Sequence, residues 1–177
     1  FVIENKFVFA NVVEDRAKEI QGIKHVYDQI EDQNIIHLPE SCHVEGGDVM
    51  LFENYVFIGT YSADDYSKYI TARTNSQAVD VIEKLFPNKT IIPFELLKSN
   101  DDARNSALHL DCCLQPVGNN KAITCPDGFL DKNQYQWIVD LFGADNIFEI
   151  TREEMYNMHC NIFSIDKNVV VSDRAFT

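Results

Sequence analysis

A chain of 177 residues with 45% hydrophobic content has the size and composition of one soluble globular domain. Its 15 Lys and Arg against 28 Asp and Glu give a net charge of −13, which excludes a basic surface for nucleic acid. No apolar run approaches the ~20 residues that cross a bilayer, so no membrane partner is expected.

The chain opens on two apolar stretches, Phe1-Val2-Ile3 and Phe7-Val8-Phe9, separated by a turn at Asn5-Lys6. This reads as a hairpin, because Asn tolerates the left-handed backbone of tight turns. A weak helical pattern over 17–30, interrupted by Gly22, precedes a returning strand at 34–38. A second hairpin pairs Val49-Met50-Leu51 with Val56-Phe57-Ile58 across Glu53-Asn54. After it, Asn75 or Ser76 caps a helix that presents Val79, Ile82, Leu85 and Phe86 on one face, and 90–94 forms the next returning strand. A third hairpin joins 113–114 to 122–123 across Gly118-Asn119-Asn120. Its helix starts near Asp131, carries Tyr135, Trp137, Ile138, Leu141 and Phe142 inward, and stops at Gly143. A strand at 147–150 follows, and Thr151 with Glu154 fits a capping box for a short helix through Met158. A fourth hairpin joins 162–165 to 169–171 across Lys167-Asn168.

The turn residues Asn5, Asn54, Asn119 and Asn168 recur every ~50 to 65 residues, the mark of a repeated supersecondary unit. The unit is roughly ββαβ, with boundaries at 1–43, 44–107, 108–160 and a partial 161–177. The period implies a ring or stacked array and leaves the number of units open. A ring cut at Phe1 and Thr177 leaves unpaired edges, so the chain is expected to be part of a larger domain.

Two segments carry the chemistry. Glu45-Gly46-Gly47-Asp48 places two carboxylates around a Gly-Gly turn that opens a strand. His109 and Asp111 stand two apart, which on a strand puts both on one face. Two carboxylates and a histidine suit a cationic substrate that must be held, attacked and given a proton. A guanidinium is such a cation, with five donors in a planar fork that matches carboxylates.

Glu45-Gly46-Gly47-Asp48-Val49, then Arg73-Thr74-Asn75, then His109-Leu110-Asp111 resembles the guanidino-group modifying enzymes. These include arginine deiminases, dimethylarginine dimethylaminohydrolases and amidinotransferases. The resemblance implies an α/β fold: a five-bladed α/β propeller, or pentein, of which this chain carries about three to three and a half ββαβ blades. It implies that His109 protonates the leaving amine and then activates water, that Glu45 pairs with His109 and the guanidinium, and that Asp111 holds guanidinium nitrogens. Asp48 either contacts substrate or orients the turn. Arg73 binds the substrate's carboxylate, although the Tyr- and Asp-rich stretch 60–71 before it is long. Arg16 stands where the family places another carboxylate-binding arginine.

The family's chemistry needs an attacking thiolate near the C-terminus, after a Gly-rich stretch. None of Cys42, Cys112, Cys113, Cys125 and Cys160 matches that position, so the nucleophile is expected outside this chain. The odd cysteine count without a CxxC pair fits reduced thiols in a cytoplasmic protein. His25, His37, His43 and His159 lack ligand spacing, so no metal is expected, and no other cofactor is implied. The implied enzyme is a hydrolase of deiminase or dimethylarginine dimethylaminohydrolase type acting on arginine or a derivative. An amidinotransferase and an inactive guanidinium-binding module are the alternatives. The partner is a small guanidino substrate, and homo-oligomerisation is left open.

Overall fold

Four hairpins organise the chain, in a computed structural model that describes residues 1–172. The first sheet contains β1 (Val2–Ile3), β2 (Lys6–Phe9) and β3 (Ile35–His37) in that order. β1 runs antiparallel to β2, and β3 returns parallel to it. Between β2 and β3 lie a turn at Glu14–Arg16 and two one-turn helices, α1 (Glu19–Gly22) and α2 (Lys24–Tyr27), none of which buries a residue. Where the sequence suggests one interrupted helix, the break at Ile23 leaves two fragments.

The same order recurs twice. β4 (Val49–Phe52), β5 (Tyr55–Thr60) and β6 (Thr90–Glu95) form the second sheet, with α3 (Ser76–Leu85) between β5 and β6. β7 (Leu114–Val117), β8 (Lys121–Thr124) and β9 (Ile147–Glu149) form the third, with α4 (Lys132–Phe142) between β8 and β9. α5 (Arg152–Tyr156) follows, ending two residues before Met158. The fourth hairpin pairs β10 (Phe163–Asp166) with β11 (Val169–Val171). The expected stretch through Thr177 runs past the described residues.

The central strand β5 is buried along nearly its whole length, and its alternation feeds two cores. Val56 and Ile58 pack with Ile3, Val8 and the inner face of α3. Phe57 points the other way, to Phe94, Leu96 and α4. α3 begins at Asn75, whose side chain accepts from the Ala78 amide at 3.1 Å. α4 begins at Asp131 and ends where Gly143 adopts φ 83°, a backbone that a side chain disfavours. The capping box at Thr151 and Glu154 forms as expected.

Several details depart from the sequence pattern. The left-handed hairpin residues are Glu4, Glu53 and Asn120, with φ 55°, 51° and 53°, rather than Asn5, Asn54 and Asn119. The buried stripe of α3 is Ala78, Ile82 and Phe86, at i, i+4 spacing, and Leu85 is exposed. On α4 only Ile138 and Phe142 are fully buried, whereas Tyr135, Trp137 and Leu141 lie half-buried at the rim of the core. Phe142→Ala is therefore expected to cost about 3–5 kcal/mol, and Leu141→Ala under about 2 kcal/mol. Urea midpoints that rank the two the other way round would show that the helix is turned differently.

Candidate functional site

The site begins at the turn Gly46–Asp48, which leads into β4. Glu45 precedes it in extended conformation, with a side chain only 2% exposed. Its amide donates to Thr74 Oγ1 at 3.3 Å, and that hydroxyl donates to Asp48 Oδ2 at 2.6 Å. The other Asp48 oxygen accepts the Leu110 amide at 2.9 Å. Asp48 thus joins three segments distant in sequence: its own turn, the start of α3 and the turn Leu110–Cys112. Both of its oxygens are taken and it is buried, so it ties its own turn to the other two segments.

His109 and Asp111 do not lie on a strand. His109 is extended, with φ −133° and ψ 170°, and caps the tight turn Leu110–Cys112 that contains Asp111. The two side chains nonetheless flank Gly47. A Cβ placed on Gly47 would lie 2.9 Å from Asp111 Oδ2 and 3.0 Å from His109 Nδ1. Only a residue without a side chain lets the backbone come this close.

Sequence reasoning missed Lys98, because lysine is read as a surface residue. It is buried, and its ammonium donates to the carbonyls of Ala107 at 2.8 Å and Leu108 at 2.9 Å. Lys98 and Asp48 therefore grip the backbone on either side of His109. No spacing signal marks Lys98. Its only trace is a cation directly after two apolar residues, at Leu96-Leu97-Lys98.

Two arginines and a histidine converge on Glu45. His109 Nε2 lies 2.8 Å from Oε2, and Arg73 Nη1 donates to Oε1 at 3.1 Å. Arg16 Nη1 also donates to Oε2, while its Nε and Nη2 form a fork on Glu19 at 2.9 and 2.8 Å. Arg73 Nε is buried without a hydrogen-bond partner. Glu45, His109, Asp111, Arg73, Arg16 and Asp48 thus occupy one neighbourhood. Asp111 and Gly47 also border a groove of about 910 Å³ between β4, β7 and β10.

The two buried carboxylates are shifted in opposite directions. Burial pushes Glu45 up, but its bonds to His109 and Arg73 outweigh that and hold it at about 2. Asp48 is dominated by burial, which Lys98 and His109 offset only in part, and it is pushed up to about 6. Burial also raises Asp111, against the neighbouring charge of His109. A lowered carboxylate stabilises the fold above its unfolded value and loses that as pH falls, so the Glu45 contribution fades between about pH 4.5 and 2. A raised carboxylate acts the other way. Asp48 is favourable below about 3.8, and that benefit is lost as pH rises through about 6. Asp48→Asn keeps the Leu110 amide on Oδ1 and replaces the Thr74 contact by a donation from Nδ2 to Oγ1 once the hydroxyl reorients. It should gain up to about 3 kcal/mol relative to wild type between pH 4 and pH 8. Urea midpoints for the two proteins that move in parallel across this range would refute the assignment.

All five cysteines are free and buried. Burial pushes the Cys112 thiol up to about 12 and raises Cys113, Cys125 and Cys160 as well. Among the described residues, no group of three or more His, Cys, Asp or Glu is arranged to hold a metal ion. Also among them, no helix is long and apolar enough to cross a membrane.

The model of the eukaryotic N,N dimethylarginine dimethylhydrolase family matches residues 7–176. The chain belongs to this family. Uncharacterized protein YkgA of Bacillus subtilis (strain 168) is 24% identical over 135 residues, covering 73% of this chain and 38% of YkgA. Among solved structures, the N-terminal domain of ArgZ covalently bound to a reaction intermediate superposes with a TM-score of 0.71 at 19% identity. That match covers 97% of this chain and 59% of the ArgZ chain. DDAH from Pseudomonas aeruginosa, solved as a Cys-to-Ser mutant with citrulline, gives 0.69 at 20% identity over 96% of this chain and 56% of its own. The structural matches establish a shared pentein-type fold. The chain spans less than two thirds of the length of each of these proteins.

Proposed function

We propose that the protein acts as a guanidino-group hydrolase on arginine or an N-substituted arginine, through a covalent Cys/His mechanism. The observation that supports this reading most strongly is the convergence of His109 and Asp111 on the turn after Glu45, with His109 hydrogen-bonded to the Glu45 carboxylate. Membership of the dimethylarginine dimethylhydrolase family supports it independently.

In this reading Glu45 and Asp111 hold the guanidinium by charge-assisted hydrogen bonds. A thiolate forms a bond to the guanidinium carbon. The C–N bond to the leaving nitrogen then breaks as His109 delivers a proton to it, leaving a thiouronium on sulfur. His109, now neutral, takes a proton from water as the water oxygen adds to the same carbon. The C–S bond breaks, releasing a ureido product and the thiolate. The unsubstituted substrate yields ammonia and a methylated one yields an alkylamine. Lys98 and Asp48 are positioning residues that act through the backbone around His109.

The thiolate is assigned to a cysteine other than the five present. These are buried, and the thiols of Cys112, Cys113, Cys125 and Cys160 are pushed up, the wrong direction for a nucleophile. Free thiols throughout also suit a reducing compartment such as the cytoplasm.

The test is an assay of the full-length protein on arginine and its methylated derivatives, following the ureido product and the released amine. Labelling by a chloroacetamidine probe is mapped in parallel by mass spectrometry. Product formation, with arginine-protectable labelling only at a cysteine beyond these five, is the expected result. Lack of turnover sinks the hydrolase reading. Protectable labelling at Cys112, Cys113 or Cys160 sinks the assignment of the nucleophile.

A further inference from the structure

Glu45 has no free oxygen. Arg73 occupies Oε1, and Arg16 and His109 share Oε2. A planar guanidinium fork needs a lone pair on each oxygen, and Arg16 and His109 take both on Oε2, so a group must leave before the fork can seat. Arg73 is not the one to leave. Its side chain is 19% exposed, and it adjoins Thr74 and Asn75, which are tied to Asp48 and His43. His109 is gripped by Lys98 and Asp48 through the backbone on both sides.

Arg16 differs. Its side chain is 39% exposed, and it sits on the stretch carrying Glu14–Arg16, α1 and α2, which buries nothing. Its fork on Glu19 lies within that same stretch, so the two residues can shift together. Behind them is a cavity of about 490 Å³, walled on one side by this stretch and on the other by Phe7, Val8 and Phe9, which leaves room beside Arg16.

The charges decide which ligands can force the shift. Around Glu45 stand Arg16, Arg73 and His109, with Glu19, Asp48 and Asp111 as the other nearby carboxylates. Asp48 is sealed behind Thr74 and Leu110, and Glu19 already holds the Arg16 fork. A purely cationic guanidine displaces Arg16 and offers its freed nitrogen nothing in return. A zwitterionic guanidine supplies an anion to Arg16 as its own guanidinium takes over Glu45.

We propose that Arg16 is a specificity-determining residue: an internal guanidinium that occupies Glu45 and yields it only to ligands carrying both a guanidinium and an anionic group. The inference rests on the guanidino-hydrolase reading and adds to it a reason for rejecting simple guanidines. It also differs from a plain carboxylate clamp. A clamp adds affinity for the acid and does nothing to a ligand that lacks one. An exchanging arginine actively excludes that ligand.

The experiment compares the full-length wild type with Arg16→Ala and Arg16→Gln. It measures kcat/KM for arginine and the inhibition constant of agmatine, the same guanidine without its carboxylate. On loss of Arg16, agmatine should bind about tenfold tighter while arginine kcat/KM falls about tenfold. Unchanged or weaker agmatine binding alongside poorer arginine turnover would reduce Arg16 to a clamp and overturn the exchange. Unaltered values for both ligands overturn it too, and both of these results leave the hydrolase reading intact. Failure of all three proteins to engage any guanidine sinks the hydrolase reading and the exchange together.

Discussion

Replacing His109 with Ala in the full-length protein is expected to lower kcat by about 10²- to 10⁴-fold with little change in KM. The asymmetry follows from a division of labour. In the proposed reading Glu45 and Asp111 meet the substrate cation in the ground state as well as in the transition state, so their loss is felt in binding. On the same reading His109 moves a proton only as the C–N bond breaks, so its loss is felt in the rate. Its geometry suits that task. Nε2 is 2.8 Å from Glu45, the ring lies against Gly47, and the side chain is 14% exposed. The variant should stay folded, because the grip on this segment is made by backbone groups of Ala107, Leu108 and Leu110. Steady-state kinetics alongside a melting curve test this. A kcat within threefold of wild type, in a protein of normal stability, would falsify the assignment.

The repeat was legible in the sequence because hairpins leave a local trace: an apolar run, a turn residue and a second run. All four were placed, as were the helix caps at Asn75, Asp131 and Thr151. What local pattern could not give was the choice between neighbours. Asn5 and Asn54 are the residues that tolerate a left-handed backbone, yet Glu4 and Glu53 adopt it, because strand register fixes which residue falls at the corner. Leu85 is more apolar than Ala78, yet Ala78 is buried. The groove under α3 is set by Val56 and Ile58, and it admits a small residue in line with Ile82 and Phe86.

The site was legible in its residues and not in its wiring. The carboxylates, His109 and Arg73 stood out by their motif and Arg16 only by its position in the chain, but the reasoning that joined His109 to Asp111 assumed a strand. The structure reaches the same juxtaposition through a tight turn wrapped over Gly47. Contacts between residues far apart in sequence, such as Arg16 with Glu45, carry no local signal. Lys98 is the extreme case. Its role depends on two carbonyls that any residue would supply.

The floor beneath this wiring is Gly59, and Gly59→Ala is expected to cost about 3–5 kcal/mol and to depress turnover as well. Gly59 lies on β5, paired with Phe94, and contributes nothing to substrate chemistry. An added Cβ would come within 2.5 Å of Asp48 Oδ1, 2.8 Å of Leu96 Cδ1 and 2.9 Å of Leu110 Cβ. None of the three can yield cheaply. Leu96 and Leu110 are completely buried, and Asp48 is fixed by Thr74 and the Leu110 amide. The methyl must push the 110–112 turn away from the sheet, which strains the packing and stretches the Asp48–Leu110 hydrogen bond. His109 precedes Leu110, so the same displacement carries the imidazole away from Glu45. Stability and kcat should therefore fall together in Gly59→Ala. In Phe142→Ala, whose packing lies on the far side of Phe57, stability should fall while kcat in the folded fraction holds. Urea midpoints and kcat measured on both variants separate the cases. A Gly59→Ala protein within about 1 kcal/mol of wild type would mean that the turn bearing His109 does not rest on this strand.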